Sequence, residues 1–142
     1  VATLRQVIEA LDSYIETADG LGITCIKGYP DFARPDVTPP VAALFYSGSQ
    51  GQGEPARKRV GASATAVSVT LGVYASNEVE LFELAEKLQH LRAARPQVVA
   101  GSGGSAQKVR LYALDDERVP PDEEAPKEAR HVITCPVVIS YE

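Results

Sequence analysis

Residues 65–74 read Thr-Ala-Val-Ser-Val-Thr-Leu-Gly-Val-Tyr and alternate with a period of two. Successive side chains of a strand point to opposite faces, so Thr65, Val67, Val69, Leu71 and Val73 share one face. Ala66, Ser68, Thr70, Gly72 and Tyr74 share the other, with Ala64 before them. A helix turns about 100° per residue and would scatter the branched residues around its axis. The pattern therefore predicts a long strand over 61–74 with one apolar face to cover and two edges to pair. The small, mildly polar face is expected to meet solvent or another subunit.

A second strand is predicted at Val41–Ser47, nearly all apolar and therefore central in the sheet. Between the two strands lies a run of Gly, Ser, Gln and Pro that ends in Arg57, Lys58 and Arg59. Two strands joined in this way make a hairpin with a long polar tip near 48–60.

Two helices supply the cover. Leu4, Val7, Ile8, Leu11, Tyr14, Ile15 and Ala18 fall within a sector of roughly 120°, and Thr3 with Gln6 fits a capping box. Asp19, Gly20 and Gly22 end this helix. The second helix starts from Asn77 as cap, with Glu80 three residues on, and is bounded by Pro96. Its predicted buried sector is Leu81, Phe82, Leu84, Ala85, Leu88 and Leu91, and Glu83–Lys87 is a favourable i,i+4 pair on the outer face.

A short strand is predicted at Ile23–Lys27, followed by a loop that Pro30, Pro35, Pro39 and Pro40 keep out of helix and ladder. Tyr29 and Phe32 sit in that loop, either as a core plug or as a binding surface. Two closing strands are predicted at Gln107–Asp115 and Ala129–Glu142, where Ile133, Cys135, Val137 and Ile139 share a face. Pro136 points to an edge or a bulge in the last strand. The expectation is one α+β domain over residues 1–142, in the order α-β-β-β-α-β-β. It is a mostly antiparallel sheet of four to five strands with two helices on one face.

Composition narrows the function classes. Of 142 residues 44% are hydrophobic and 23% charged, which suits a packed domain rather than a disordered chain. A formal net charge of −5 disfavours bulk attraction to DNA or an anionic membrane. No apolar run approaches the ~20 residues of a membrane-spanning helix, and the helical patterning of 1–18 is unlike a signal peptide. Cys25 and Cys135 both lie in strand-like runs and form no metal or redox motif, so free buried thiols are expected.

The remaining chemistry is sparse. The glycines of Val99–Lys108 follow a helix and precede a strand without the Lys-Ser/Thr of a phosphate loop, so a flexible connection is expected. Asp115, Asp116, Glu117, Asp122, Glu123 and Glu124 crowd one loop but lack the turn glycine of a calcium loop. That loop reads as solvated, or as a contact for a basic partner. His90 is expected to be solvated, and His131 has no triad pattern around it. No catalytic, metal or cofactor-binding residue is assigned, and the chain is not expected to be an enzyme. Arg57, Lys58 and Arg59 serve equally as protection of a strand edge or as a dock for an acidic protein surface.

The layout as a whole resembles the tail terminator (tail completion) proteins of long-tailed bacteriophages. The resemblance rests on the amphipathic helix Leu4–Ala18, the approach "RPDVTPPVAALFYSG", the long-tipped hairpin into "AVSVTLGVYAS", the helix "NEVELFELAEKLQHL" and two closing strands. It implies a virion structural protein of the tail and neck, assembled in the host cytoplasm. Its subunits would form a ring, typically a hexamer, on the last ring of the tail tube. The ring would end tube polymerisation and join the tail to a neck protein, with DNA passing through it ungripped. Arg57, Lys58 and Arg59 would then meet carboxylates of a neighbour, with Asp115, Asp116, Asp122, Glu123 and Glu124 as the candidate complement. Another head–tail connector, such as an adaptor or stopper, is the nearer alternative. A small-molecule-binding domain using Tyr29 and Phe32 is the more distant one.

Overall fold

Thr3 and Gln6 form the expected capping box in the computed structural model, which describes residues 2–51 and 65–141. The Thr3 side chain accepts from the Gln6 N–H at 3.2 Å, and Gln6 Oε1 accepts from the Thr3 N–H at 2.9 Å. Helix α1 spans Leu4–Glu16 and ends two residues earlier than expected. The chain turns back sharply there, and both the Leu21 and Gly22 N–H groups donate to the Ile15 carbonyl. Gly20 permits the turn, because a Cβ there would collide with the Tyr14 carbonyl. Val7, Leu11 and Ile15 are buried, whereas Ala18 lies beyond the helix and is exposed.

The strands are β1 (Thr24–Lys27), β2 (Val41–Gly51), β3 (Thr65–Ala75), β4 (Gln97–Ala100), β5 (Gln107–Ala113), β6 (Glu117–Arg118) and β7 (His131–Tyr141). Among the described residues they form one seven-stranded sheet in the order β1-β2-β3-β7-β5-β4, with β6 pairing β7. Only β1 and β2 run parallel; every other pair is antiparallel. The α+β class and the mostly antiparallel sheet are as expected, and the strand count exceeds the four to five predicted. The two additional strands, β4 and β6, are four and two residues long. Such pieces carry no readable alternation and exist because a longer neighbour pairs with them. β4 lies partly within the Gly-rich stretch expected to be a plain connection.

Helix α2 spans Glu78–Ala94, with the Asn77 side chain accepting from the Glu80 N–H at 2.9 Å. It lies over β3, β7 and β5. α1 packs against both β1 and β4, the two ends of the strand order, so the sheet curls around the helices. Asp12 of α1 pairs with Lys27 of β1 at 3.1 Å, and Glu16 accepts from the Cys25 N–H at 3.0 Å. The two helices share one face of the sheet with Val67, Val69, Leu71, Val73, Ile133, Cys135, Val137 and Ile139, as the alternation predicts.

Three expectations need correction. β2 is not central along its length, because β1 covers only Val41–Leu44. Pro136 is neither at an edge nor in a bulge: β7 lies between β3 and β5, and Pro136 faces Thr70 in unbroken register. Its carbonyl accepts from the Leu114 N–H at 2.8 Å, so its nitrogen points the same way, and the β3 ladder loses no rung. The Leu114 carbonyl instead accepts from the Cys135 thiol at 3.4 Å. The third correction concerns Phe82. The buried stripe of α2 is Leu81, Leu84, Leu88 and Leu91, and Phe82 is 61% exposed. At 100° per residue it stands about 140° from the centre of that stripe.

The face opposite the helices is covered only in part. Tyr29 packs its ring on Phe45 at 4.6 Å between centroids, and Phe32 meets Tyr74 edge-on at 5.5 Å. Gly72 beneath them leaves room for the Phe45 and Tyr74 rings. Phe32 is thus half-buried as a plug, whereas Tyr29 remains 86% exposed.

Candidate functional site

The hairpin expected to carry function begins as predicted. β2 and β3 pair through to Gly51↔Thr65, with one register shift between Tyr46 and Gly48. Gly48 adopts φ 144°, a conformation open to glycine, and the Ser47 hydroxyl lies 3.0 Å from that of Thr70. A bulge of this kind bends and twists a strand pair. Arg57, Lys58 and Arg59 lie outside the described residues.

The acidic loop divides into three roles. Asp115 and Asp116 lie 3.3 and 3.6 Å from Arg92 on α2, which offsets their charge within the chain. Asp122 shapes its own turn by accepting from the Glu124 N–H at 2.9 Å. Arg130 braces the same turn through the Glu123 carbonyl at 3.0 Å and the Ala125 carbonyl at 3.4 Å. The carboxylates of Glu123 and Glu124 are exposed, with no ion-pair partner among the described residues. Those two, with Glu117 on β6, which is likewise exposed and without an ion-pair partner among the described residues, remain as outward charges.

A junction that sequence reading did not anticipate joins the start of α2 to β6 and to the start of β7. Glu78, one residue past the helix cap, receives Arg118 Nη1 at 2.7 Å and lies 3.2 Å from His131 Nδ1. The hydrogen bond from Arg118, assisted by His131, holds the Glu78 carboxyl below the usual carboxylate range. His131 is therefore a structural partner in this geometry. Its contact with Glu78 spans 53 residues of sequence, beyond the reach of any local pattern.

The thiols are buried and free. Burial, reinforced by the Asp12 carboxylate, pushes Cys25 up, and burial with Asp116 pushes Cys135 up to about 11. Both are poor nucleophiles, because the thiolate is the reactive form. His90 is exposed, 3.8 Å from Glu86. Among the described residues no group of three His, Cys, Asp or Glu side chains could hold a metal ion. No helix among them is long and apolar enough to cross a membrane.

Two apolar surfaces stand out. A groove of about 630 Å³ opens between the first turn of α1, the end of β1 and β2, walled by Leu4, Ile8, Tyr29, Leu44, Tyr46 and Val69. On α2, Val79 and Phe82 are 65% and 61% exposed and form a ridge with Glu78, Glu83 and Glu86 around it. The expected Glu83–Lys87 pair is absent, since Lys87 donates to the Leu21 carbonyl at 3.2 Å. Sequence periodicity placed Leu4, Ile8 and Phe82 in buried sectors. The apolar character of Val79 and Phe82 opposite a leucine stripe was the one available signal of a second face. No protein-family model and no curated protein sequence matches this chain.

Proposed function

We propose that the protein is a ring-forming structural subunit that caps the tail tube of a long-tailed bacteriophage. In this reading it ends tube polymerisation and joins the tail to the neck, binding its neighbours and catalysing nothing. The observation that carries the reading is the hairpin. β2 and β3, eleven residues each, are paired to Gly51↔Thr65, and residues 52–64 connect those paired ends with a polar sequence containing Arg57, Lys58 and Arg59. Connections this long are uncommon in compact domains and usually carry function, and a ring subunit can use one to touch a neighbour. Glu123 and Glu124 are the outward carboxylates best suited to receive such a basic segment in an adjacent subunit. The net charge of −5 suits a channel that passes DNA without gripping it.

The test is electron microscopy of the purified protein with tail tubes ending in an exposed ring. A closed ring seated on one tube end is the expected outcome, and a protein that leaves tube ends bare rejects the reading. Replacing Gly51–Arg59 by a two-residue turn should leave the fold intact and abolish capping. Capping by the shortened protein would remove the hairpin from the account.

A further inference from the structure

The groove and the α2 ridge belong to different elements and have opposite shapes and opposite rims. The groove exists because β1 stops early: Lys27↔Leu44 is the last β1–β2 pair, whereas β2 runs on to Gly51. Arg5 and Lys27 stand at its mouth. Lys27 is held by Asp12, but among the described residues Arg5 is tied only to Glu9, in an exposed i,i+4 pair at 3.0 Å, a contact that exchanges partners at little cost. On α2 the Val79–Phe82 ridge is flanked by glutamates, and Glu83 has no ion-pair partner among the described residues.

We infer that the groove of one copy of this chain receives the Val79–Phe82 ridge of a second copy, with Arg5 facing the α2 glutamates. Phe82 is the anchor, since an aromatic side chain buries roughly 150–250 Å² and aromatic anchors dominate interface energies. The contact is heterologous. Each copy that fills a groove leaves its own groove and its partner's ridge open, so the contacts close into a ring or continue growing. A two-fold pair would need groove and ridge on one patch so that both contacts form at once, whereas the groove lies between α1, β1 and β2 and the ridge on the outer face of α2, over β3, β7 and β5. This deepens the ring reading above and rests on it for its purpose, but the contact can be tested without tail tubes.

The experiment is sedimentation velocity of the wild-type chain, Leu4→Asp, Phe82→Glu and a one-to-one mixture of the two variants. Aspartate suits the first turn of a helix and glutamate an exposed helix position, so both variants should fold, checked by circular dichroism melts. Wild type should assemble beyond a dimer, and each variant should lose at least about thirtyfold in self-association. The mixture should form a dimer and stop there, because Phe82→Glu keeps a working groove and Leu4→Asp a working ridge. Variants that assemble like wild type, or a mixture without dimer, would overturn the inference. So would a wild type that stays monomeric, which leaves the groove to another occupant such as a small apolar ligand. If these associations behave as expected but the ring leaves tubes uncapped, the contact stands and the tail role falls. If both variants cap tubes as wild type does, the tail role stands and the contact falls.

Discussion

Glu78 joins three separate parts of the chain through one carboxylate, and its effect on stability has a definite pH sign. Its folded pKa lies below the ordinary value of 4.5, with Arg118 as the first cause and His131 assisting. A depressed carboxylate contributes stability above the unfolded pKa and loses it as pH falls through the folded value. Glu78→Gln should therefore melt below wild type near neutral pH, and the two melting curves should converge on acidification below the ordinary carboxylate range. Parallel curves at all pH values would assign Glu78 no such linkage. Phe82 and Leu88 provide a second contrast on one helix. Leu88→Ala removes a fully buried side chain and should cost about 2–5 kcal/mol. Phe82→Ser changes an exposed position and should stay within about 0.5 kcal/mol in dilute, monomeric protein. Chemical denaturation of both variants decides it.

At the scale of elements, helix ends are where local sequence acts most directly. Thr3 and Gln6 satisfy each other's backbone N–H groups, so Thr3→Ala should cost about 1 kcal/mol. Gly20→Ala should cost more, because its Cβ meets the Tyr14 carbonyl and the turn after α1 must shift, an overpacking typically worth about 1–3 kcal/mol. Melting curves of the two variants, ranked against each other, check this. A Gly20→Ala protein as stable as wild type would show that the turn can relax. β7 illustrates the opposite situation. Pro136 by itself argues against a central strand, yet its missing N–H faces the β5 side, just past the last β5–β7 pair at Ala113↔Val137. The orientation of one peptide group decided an assignment that residue type alone predicted wrongly.

For the whole molecule, α1 is the closing piece. It packs on β1 and β4, the two end strands of the order, so its loss leaves both without that support. Unpaired edges template association with other chains. Deleting residues 1–16 should therefore convert a cooperative melt into aggregation, seen as turbidity at temperatures where the full chain is clear. A soluble, cooperatively folding truncation would show that the sheet needs no such cover.

Local pattern determined the two helices, the strands β1, β2, β3, β5 and β7, the shared face of β3 and β7 and the α+β class, because each signal lies within a short run of adjacent residues. The capping box and the buried thiols were legible for the same reason. What tertiary structure decided is non-local: the parallel β1–β2 pair, the curl that brings α1 against both sheet ends, and the short strands β4 and β6. It also decided the Glu78–Arg118–His131 junction and the groove beside the early end of β1. Phe82 lies between the two cases. Its apolar character and its angle of about 140° from the leucine stripe are written in the sequence, but only the docking of that stripe on β3, β7 and β5 turned the side chain outward. Local pattern states which residues can be buried, and packing geometry selects the ones that are.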